Sequence, residues 1–378
     1  MVARFLSWLA AAPAAARAEA AAALAHAFLH AELTEEDRAA ATTAMTLLLD
    51  DPSLAVRRAL AEGLAADPGA PPHIVLALAR DAADVAAPIL ARAPSLGELD
   101  LVDLVALHGA AGQAAIARRA LVPPTVAAAL AAVGAPSACA VLVENPGAML
   151  TAGILTRLVA RHGADPVVRE PLLARPDLPA ALRQVLVVKL AEALTGLVAG
   201  RGWLGRDRAE AAAREACDRA TLAIAARAPD ESVTALVGHL RASRQLTPVL
   251  LLRAALAGQG ALVDAGLAQL SGLPFERVRA LVSVGSEAGL VALLRKAGLP
   301  AATHAAFAAA LANRGTAYGD RLDRDLVEHA LAAHCAGAGR ALDPVAALLR
   351  RFAAEAAREE ALDRAAIEAE DEIQLSAA

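Results

Sequence analysis

A chain of 378 residues is long enough for two ordinary domains or one elongated stack. Its 57% hydrophobic content excludes a disordered protein, and with only 2% aromatic residues the core must be built from Leu, Val, Ile and Ala, the set expected where helices pack closely. A formal net charge of -5, with acids mixed among the arginines, argues against a protein that tracks a nucleic-acid backbone; Cys139, Cys217 and Cys335 are too few for a disulfide- or zinc-built fold and point to a reducing compartment, the cytoplasm.

The opening "MVARFLSWLAAAPAAARAEA" has the outline of a signal peptide, an arginine followed by a short apolar run. Pro13 interrupts that run and "RAEAAAALAHAFLHAEL" continues as an amphipathic helix, so residues 1–46 are read instead as an N-terminal helical cap. Within it Thr34 starts a helix that Asp37 is placed to cap reciprocally.

The next stretch, "LLLDDPSLAVRRALAEGLA" at 47–65, pairs an Asp with a Pro ahead of a helical pattern. Asp51 is expected to cap and Pro52 to take the first helical position, where a missing amide proton costs nothing. Leu54, Ala55, Ala59, Leu60, Gly63 and Leu64 make the expected apolar band; Arg57, Arg58 and Glu62 make the polar surface. Similar junctions recur around Asp81, Gly109, Pro146 and Pro176, 28 to 37 residues apart, close to two short helices plus their loops. Asn145-Pro146 and Asp343-Pro344 repeat the cap-then-proline pattern. Such a period predicts a solenoid, whose hairpins cannot bury their apolar faces alone and stack on their neighbours. The longest uncharged stretch, 120–143, has the length of a membrane span, but Pro123, Pro124, Gly134 and Pro136 divide it, so no membrane insertion is expected.

Between 198 and 232 the texture changes: Gly200, Gly202 and Gly205 break the chain ahead of a longer, more charged helix. The expected fold is all-α, an α-solenoid of HEAT-like repeats forming a right-handed superhelix, with a more compact C-terminal helical region. Its divisions are 1–46, the cap; 47–200, about five helical-hairpin repeats; 201–350, the C-terminal helical region; and 351–378, a charged terminal helix with the acidic, frayed tail "IEAEDEIQLSAA".

The segments "FLSWLAAAPAAARAEAAAALAHAFL", "IVLALARDAADVAAPILARAPSLGELDLVDLV" and above all "LAQLSGLPFERVRALVSVGSEAGLVALLRKAGLPAATHAAFAAAL" resemble an uncharacterised alphaproteobacterial family of helical-repeat proteins, a domain of unknown function. The resemblance covers most of residues 2 to 350 and is most specific from Leu270 to Leu299; the earlier repeats are similar to HEAT-like or leucine-rich-variant repeats. It implies a fold and carries over no catalytic or binding residue.

No motif announces chemistry. His26 and His30 stand four apart on a helix face without an interleaved acid, and His329, His334 and Cys335 are spaced poorly for one face, so no metal is expected. There is no HExxH, G-x-S-x-G or phosphate loop after a strand; "VGSEAG" reads as a helix-helix turn capped by Ser286. Glu35-Glu36 and Glu359-Glu360 fall on charged, solvated segments. No catalytic residue and no cofactor is therefore expected.

The residues singled out for an interaction surface are Arg57, Arg58, Phe275, Glu276, Arg277 and Arg279, since arginine and aromatics are common binding anchors. The alternative for each set is packing: Arg57 and Arg58 bridging repeats, Phe275 and Val278 facing inward. The reading is a non-enzymatic interaction scaffold or adaptor for a protein or peptide, with self-association open to its second half. Two other readings stand: a nucleic-acid-binding HEAT-like protein or base-repair enzyme, which Trp8, Trp203 and Tyr318 are too scattered to serve, and an enzyme with an unrecognised pocket.

Overall fold

The computed structural model describes residue 8 and residues 11–284, 286–312, 319–336 and 343–377, the side chains of 369–377 excepted. Most of the apolar opening, Gly285 of the "VGSEAG" turn, Tyr318 and the side chains of the acidic tail lie outside the described residues. The described chain is all-α, without a strand, and forms two compact units, Met1–Leu178 and Pro179–Ala378. The division falls ahead of Gly200–Gly205, which joins two helices inside the second unit.

The first unit opens with α1 (Ala14–His30) and continues, among the described residues, as five helix pairs. These are α2 (Glu35–Leu48) with α3 (Leu54–Leu64), α4 (Pro72–Ala79) with α5 (Ala83–Arg92), α6 (Glu98–Leu107) with α7 (Ala110–Ala117), α8 (Pro124–Val133) with α9 (Pro136–Glu144), and α10 (Ala152–His162) with α11 (Pro166–Ala174). The odd-numbered helices pack in series from α1 to α11, and α6, α8 and α10 form a second row. This is repeating helix-on-helix packing of the α-solenoid kind. The early odd helices bury a narrow face, Val56, Leu60, Ala61 and Leu64 in α3 and Val85, Ala86, Ile89 and Leu90 in α5, so a hairpin alone has no closed core.

A polar ladder locks the repeats in register. An α-helix leaves its last carbonyls without internal partners, and here the end of one helix supplies donors to the end of the helix one repeat earlier. Arg119, after α7, donates to the carbonyls of Leu90 and Ala93 at the end of α5 (2.8 and 2.7 Å). Asn145, after α9, donates to Ala117 and Arg119 at the end of α7 (both 2.7 Å), and Arg175, after α11, to Val143 at the end of α9 (2.8 Å). In the other row His108 Nε2 donates to Ala79 at the end of α4 (2.7 Å), and Arg161 to Ala131 and Gly134 at the end of α8 (2.7 and 3.3 Å). The cationic rungs also meet the negative end of the helix dipole. Gly147 completes the Asn145 rung: its amide donates to Asn145 Oδ1, and a Cβ there would stand 2.0 Å from the Ala120 carbonyl.

In the first repeats the rungs are ionic. Arg17 donates twice to Asp51 (2.7 and 2.9 Å), and Arg57 twice to Asp81 (2.6 and 2.9 Å) and once to the Asp51 carbonyl. These hydrogen bonds hold both carboxyls below the usual carboxylate range.

The ladder corrects two expected caps. Asp51 does not cap α3, which starts at Leu54 behind Ser53; it is buried, facing Arg17, with a local bond from the Ser53 amide. Asn145 likewise closes α9 instead of opening α10, whose cap is Thr151. The apolar band of α3 is also rotated from the expected one, with Leu54 exposed and Val56 and Ala61 buried. Thr34, Ser286 and Asp343 do cap their helices through the amides of Asp37, Gly289 and Ala346.

The second unit begins with a hairpin of two matched 21-residue helices, α12 (Ala180–Gly200) and α13 (Arg206–Ala226). Then follow α14 (Asp230–Ala242), α15 (Pro248–Leu256), α16 (Gly260–Ser271), α17 (Phe275–Ser283), α18 (Glu287–Lys296), a 3-10 turn (Ala301–Thr303), α19 (His304–Ala312), α20 (Arg324–Cys335) and α21 (Pro344–Ala377). At its centre is α15, in which every residue from Leu250 to Leu256 is buried. Around it pack α16 and α19, with α12 against α14 and α20 against α21.

Candidate functional site

Because α15 is buried on all sides, Arg253 in its middle cannot reach water, with only 2% of the residue exposed. An unpaired cation there would be untenable. Glu355 of α21, itself 8% exposed, accepts from both Nη atoms of Arg253 at 2.7 and 2.8 Å. Glu215 of α13 lies 3.6 Å from the same guanidinium, Arg219 3.5 Å from Glu355, and the Phe352 ring 4.5 Å beneath it. Desolvation works against the Glu355 carboxylate, but the Arg253 hydrogen bond and charge hold it below its usual range. Burial pushes two further carboxyls up: Glu359 rises, with Glu355 adding to the effect, and Asp218 is pushed to about 6 despite the nearby Arg253.

Beside this network an open cleft of about 1320 Å³ runs along the α12/α13 hairpin. Its lining on α12 includes Gln184, Val188, Ala191, Glu192, Thr195 and Ala199, and on α13 Arg206, Glu210, Arg214, Cys217, Asp218 and Thr221. Val249, Leu250, Leu348 and Phe352 give the opposite wall apolar surface, and Arg244 and Arg351 add charge. At the inner end Thr221 donates to Gln184, which donates to Gln245 (3.0 and 3.1 Å). Arg244 sits in the left-handed region at φ 59°, a conformation that disfavours any side chain. Burial, with Asp218 and Glu192 nearby, raises the Cys217 thiol, the opposite of what an attacking thiolate requires.

The residues singled out from sequence fall elsewhere. Arg57 belongs to the ladder, and Arg58 pairs with Glu62 one turn on, both exposed. Phe275 packs against the core of the second unit beside the buried Val278, whereas Glu276, Arg277 and Arg279 are exposed on α17. Neither set lines the cleft. His26 and His30 contact each other edge to face, and His334 is buried against Asp343 (2.9 Å). Among the described residues no group of three or more His, Cys, Asp or Glu could hold a metal ion. No described helix is long and apolar enough to cross a membrane.

Fold and cleft together define an all-α helical-repeat protein with an open groove in its second unit. A family model described as an uncharacterised protein conserved in bacteria (DUF2336) matches residues 85–341, and the chain belongs to that family. No curated protein and no solved structure matches it.

Proposed function

We propose that this protein is a non-enzymatic interaction scaffold of HEAT-like repeats, acting in the cytoplasm, and that its receptor surface is the cleft on the α12/α13 hairpin. The partner is a protein that lays an amphipathic helix into the groove. The observation that carries this reading is the cleft's size and texture. At about 1320 Å³ it exceeds the roughly 300–1,000 Å³ of small-molecule pockets, and the lining from Gln184 to Ala199 runs about 22 Å along α12, four turns of a bound helix. Apolar Val188, Leu204, Val249 and Leu348 suit the apolar face of such a helix, and the cleft's mixed charges, Arg206, Arg244 and Arg351 beside Glu192 and an Arg214–Glu210 pair, suit polar flanks of both signs. That Arg244 occupies a backbone position favouring glycine supports a role for its side chain. The exposed Glu276, Arg277 and Arg279 are a further contact edge on this reading. The three free cysteines suit the cytoplasm.

One observation favours an enzyme: Asp218, with its raised carboxyl, lines the cleft. Its neighbour Cys217 is raised rather than activated, so the pair lacks a nucleophile. For nucleic acid, five arginines of the first unit (Arg17, Arg57, Arg119, Arg161 and Arg175) already bind carboxylates or carbonyls and are not free for phosphates. A photoreactive residue at Thr195 or Val249, introduced in the native cell, tests the scaffold. The expected result is one protein captured from both positions and lost when Arg244 and Arg351 are reversed to Glu. No protein adduct, or adducts indifferent to the reversal, would contradict it.

A further inference from the structure

The other side of α12 carries a second surface. In "AALRQVLVVKLAEALTGLVAG" only Arg183, Lys189 and Glu192 are charged, so the helix is apolar around most of its circumference. Such a helix is expected inside a core, yet only Ala180, Gln184 and Leu186 are buried. Val187, Leu190, Leu194 and Leu197 follow one another at intervals of three, four and three, the spacing of a coiled-coil seam. Val187 reaches the core of its own unit, whereas Leu194 and Leu197 are 50% and 48% exposed. At 100° per residue the seam lies about 120° around α12 from the cleft lining. None of the four seam residues lines the cleft, although Ala191 and Gly200 beside the seam do, so the two faces adjoin.

We infer that this seam pairs with the same seam of a second copy, antiparallel, making the protein a two-fold dimer. The three-four-three spacing reads the same in both directions. An antiparallel mate therefore sets Val187 against Leu197 and Leu190 against Leu194, each contact occurring twice, as an isologous interface requires. The positions flanking the seam, Ala191, Ala193, Val198 and Gly200, are small and uncharged, so two backbones approach closely and no like charges meet along it. The same register sets Arg183 against Arg201 of the second copy at both ends, a like-charge contact that opposes pairing and that salt screens; Arg201 also lies over its own Trp203 ring. The hairpin's matched helices, about 31 Å long, make half of a four-helix bundle, which the second copy completes. Two such helices bury on the order of 1,000 Å² in total, near the lower limit for a specific interface, so the dimer is reversible and concentration-dependent.

Sedimentation of the full chain from low micromolar to several hundred micromolar tests this. A monomer-dimer equilibrium is expected, and Leu194→Glu with Leu197→Glu, both at exposed positions, should weaken it by at least ~10-fold without changing the melting temperature measured at concentrations where the wild type is monomeric. Cross-linking fixes the orientation: copies carrying Leu190→Cys mixed with copies carrying Leu194→Cys should form mixed disulfide dimers in preference to either alone, beyond a wild-type control for the native cysteines. A monomer at every concentration, association indifferent to the double glutamate variant, or Leu190→Cys copies joining chiefly to one another would overturn the inference.

Discussion

The two units solve the same problem, keeping short apolar helices together, in different ways. In the first, polar groups act between neighbours: each rung joins a helix end to one a repeat away, and the ionic rungs at Asp51 and Asp81 are largely shielded but local. In the second, Arg253 and Glu355, 102 residues apart in the chain, meet inside a core. A stack tolerates many modest local bonds because each repeat contributes separately, whereas a compact unit built around a buried helix concentrates its polar risk in one place.

Substitutions should expose that contrast. The largest effect is expected from Arg253→Met, which strands the buried Glu355 carboxylate and should cost about 3–5 kcal/mol in urea unfolding; Arg253→Met with Glu355→Leu should recover most of it. A smaller loss, about 2 kcal/mol, is expected for Asn145→Ala, which frees the Ala117 and Arg119 carbonyls of one rung.

The ladder aspartates and Asp218 should respond oppositely to acid. Asp51 and Asp81 have depressed values in the folded state, so their stabilisation is complete above about 3.8 and is lost as pH falls through those values. Asp218 is raised from 3.8 to about 6, so the folded state binds the extra proton between those limits. Its contribution is complete below 3.8 and declines as pH rises to 6. Melting Asp218→Asn beside the wild type at pH 4.5 and 6.5 should show this component of the pH dependence removed.

Replacing Arg244 by Gly relieves a left-handed residue and should stabilise by about 1 kcal/mol while weakening capture of a partner at the cleft. Arg277→Ala with Arg279→Ala, on the exposed face of α17, should move the unfolding midpoint least, by less than about 0.5 kcal/mol, and is read by the same titration.

Much of the fold is legible in the sequence because periodicity and composition act locally. The helical texture, the recurrence near 30 residues and the Gly200–Gly205 break all have counterparts in the structure. Asp51 and Asn145 mislead because a polar residue before proline looks the same whether it caps the next helix or bonds a group about 30 residues back; only the partner decides. Arg57 stands open between binding and bridging for the same reason. The cleft is not legible, since its walls come from α12, α13, the α14–α15 turn and α21. One signal is present: Arg253 interrupts the apolar "PVLLLRAAL", where a charge must find a buried partner.

Amide hydrogen exchange on Asn145→Ala and Arg253→Met, measured beside the wild type, tests most directly the claim that the first unit is held rung by rung and the second through one buried pair. The expected result is that Asn145→Ala loses protection around residues 117–122 and 145–149, and that Arg253→Met loses it together in α15 and the first half of α21. Loss spread evenly over residues 1–178 in the first variant, or confined to α15 in the second, would contradict the account.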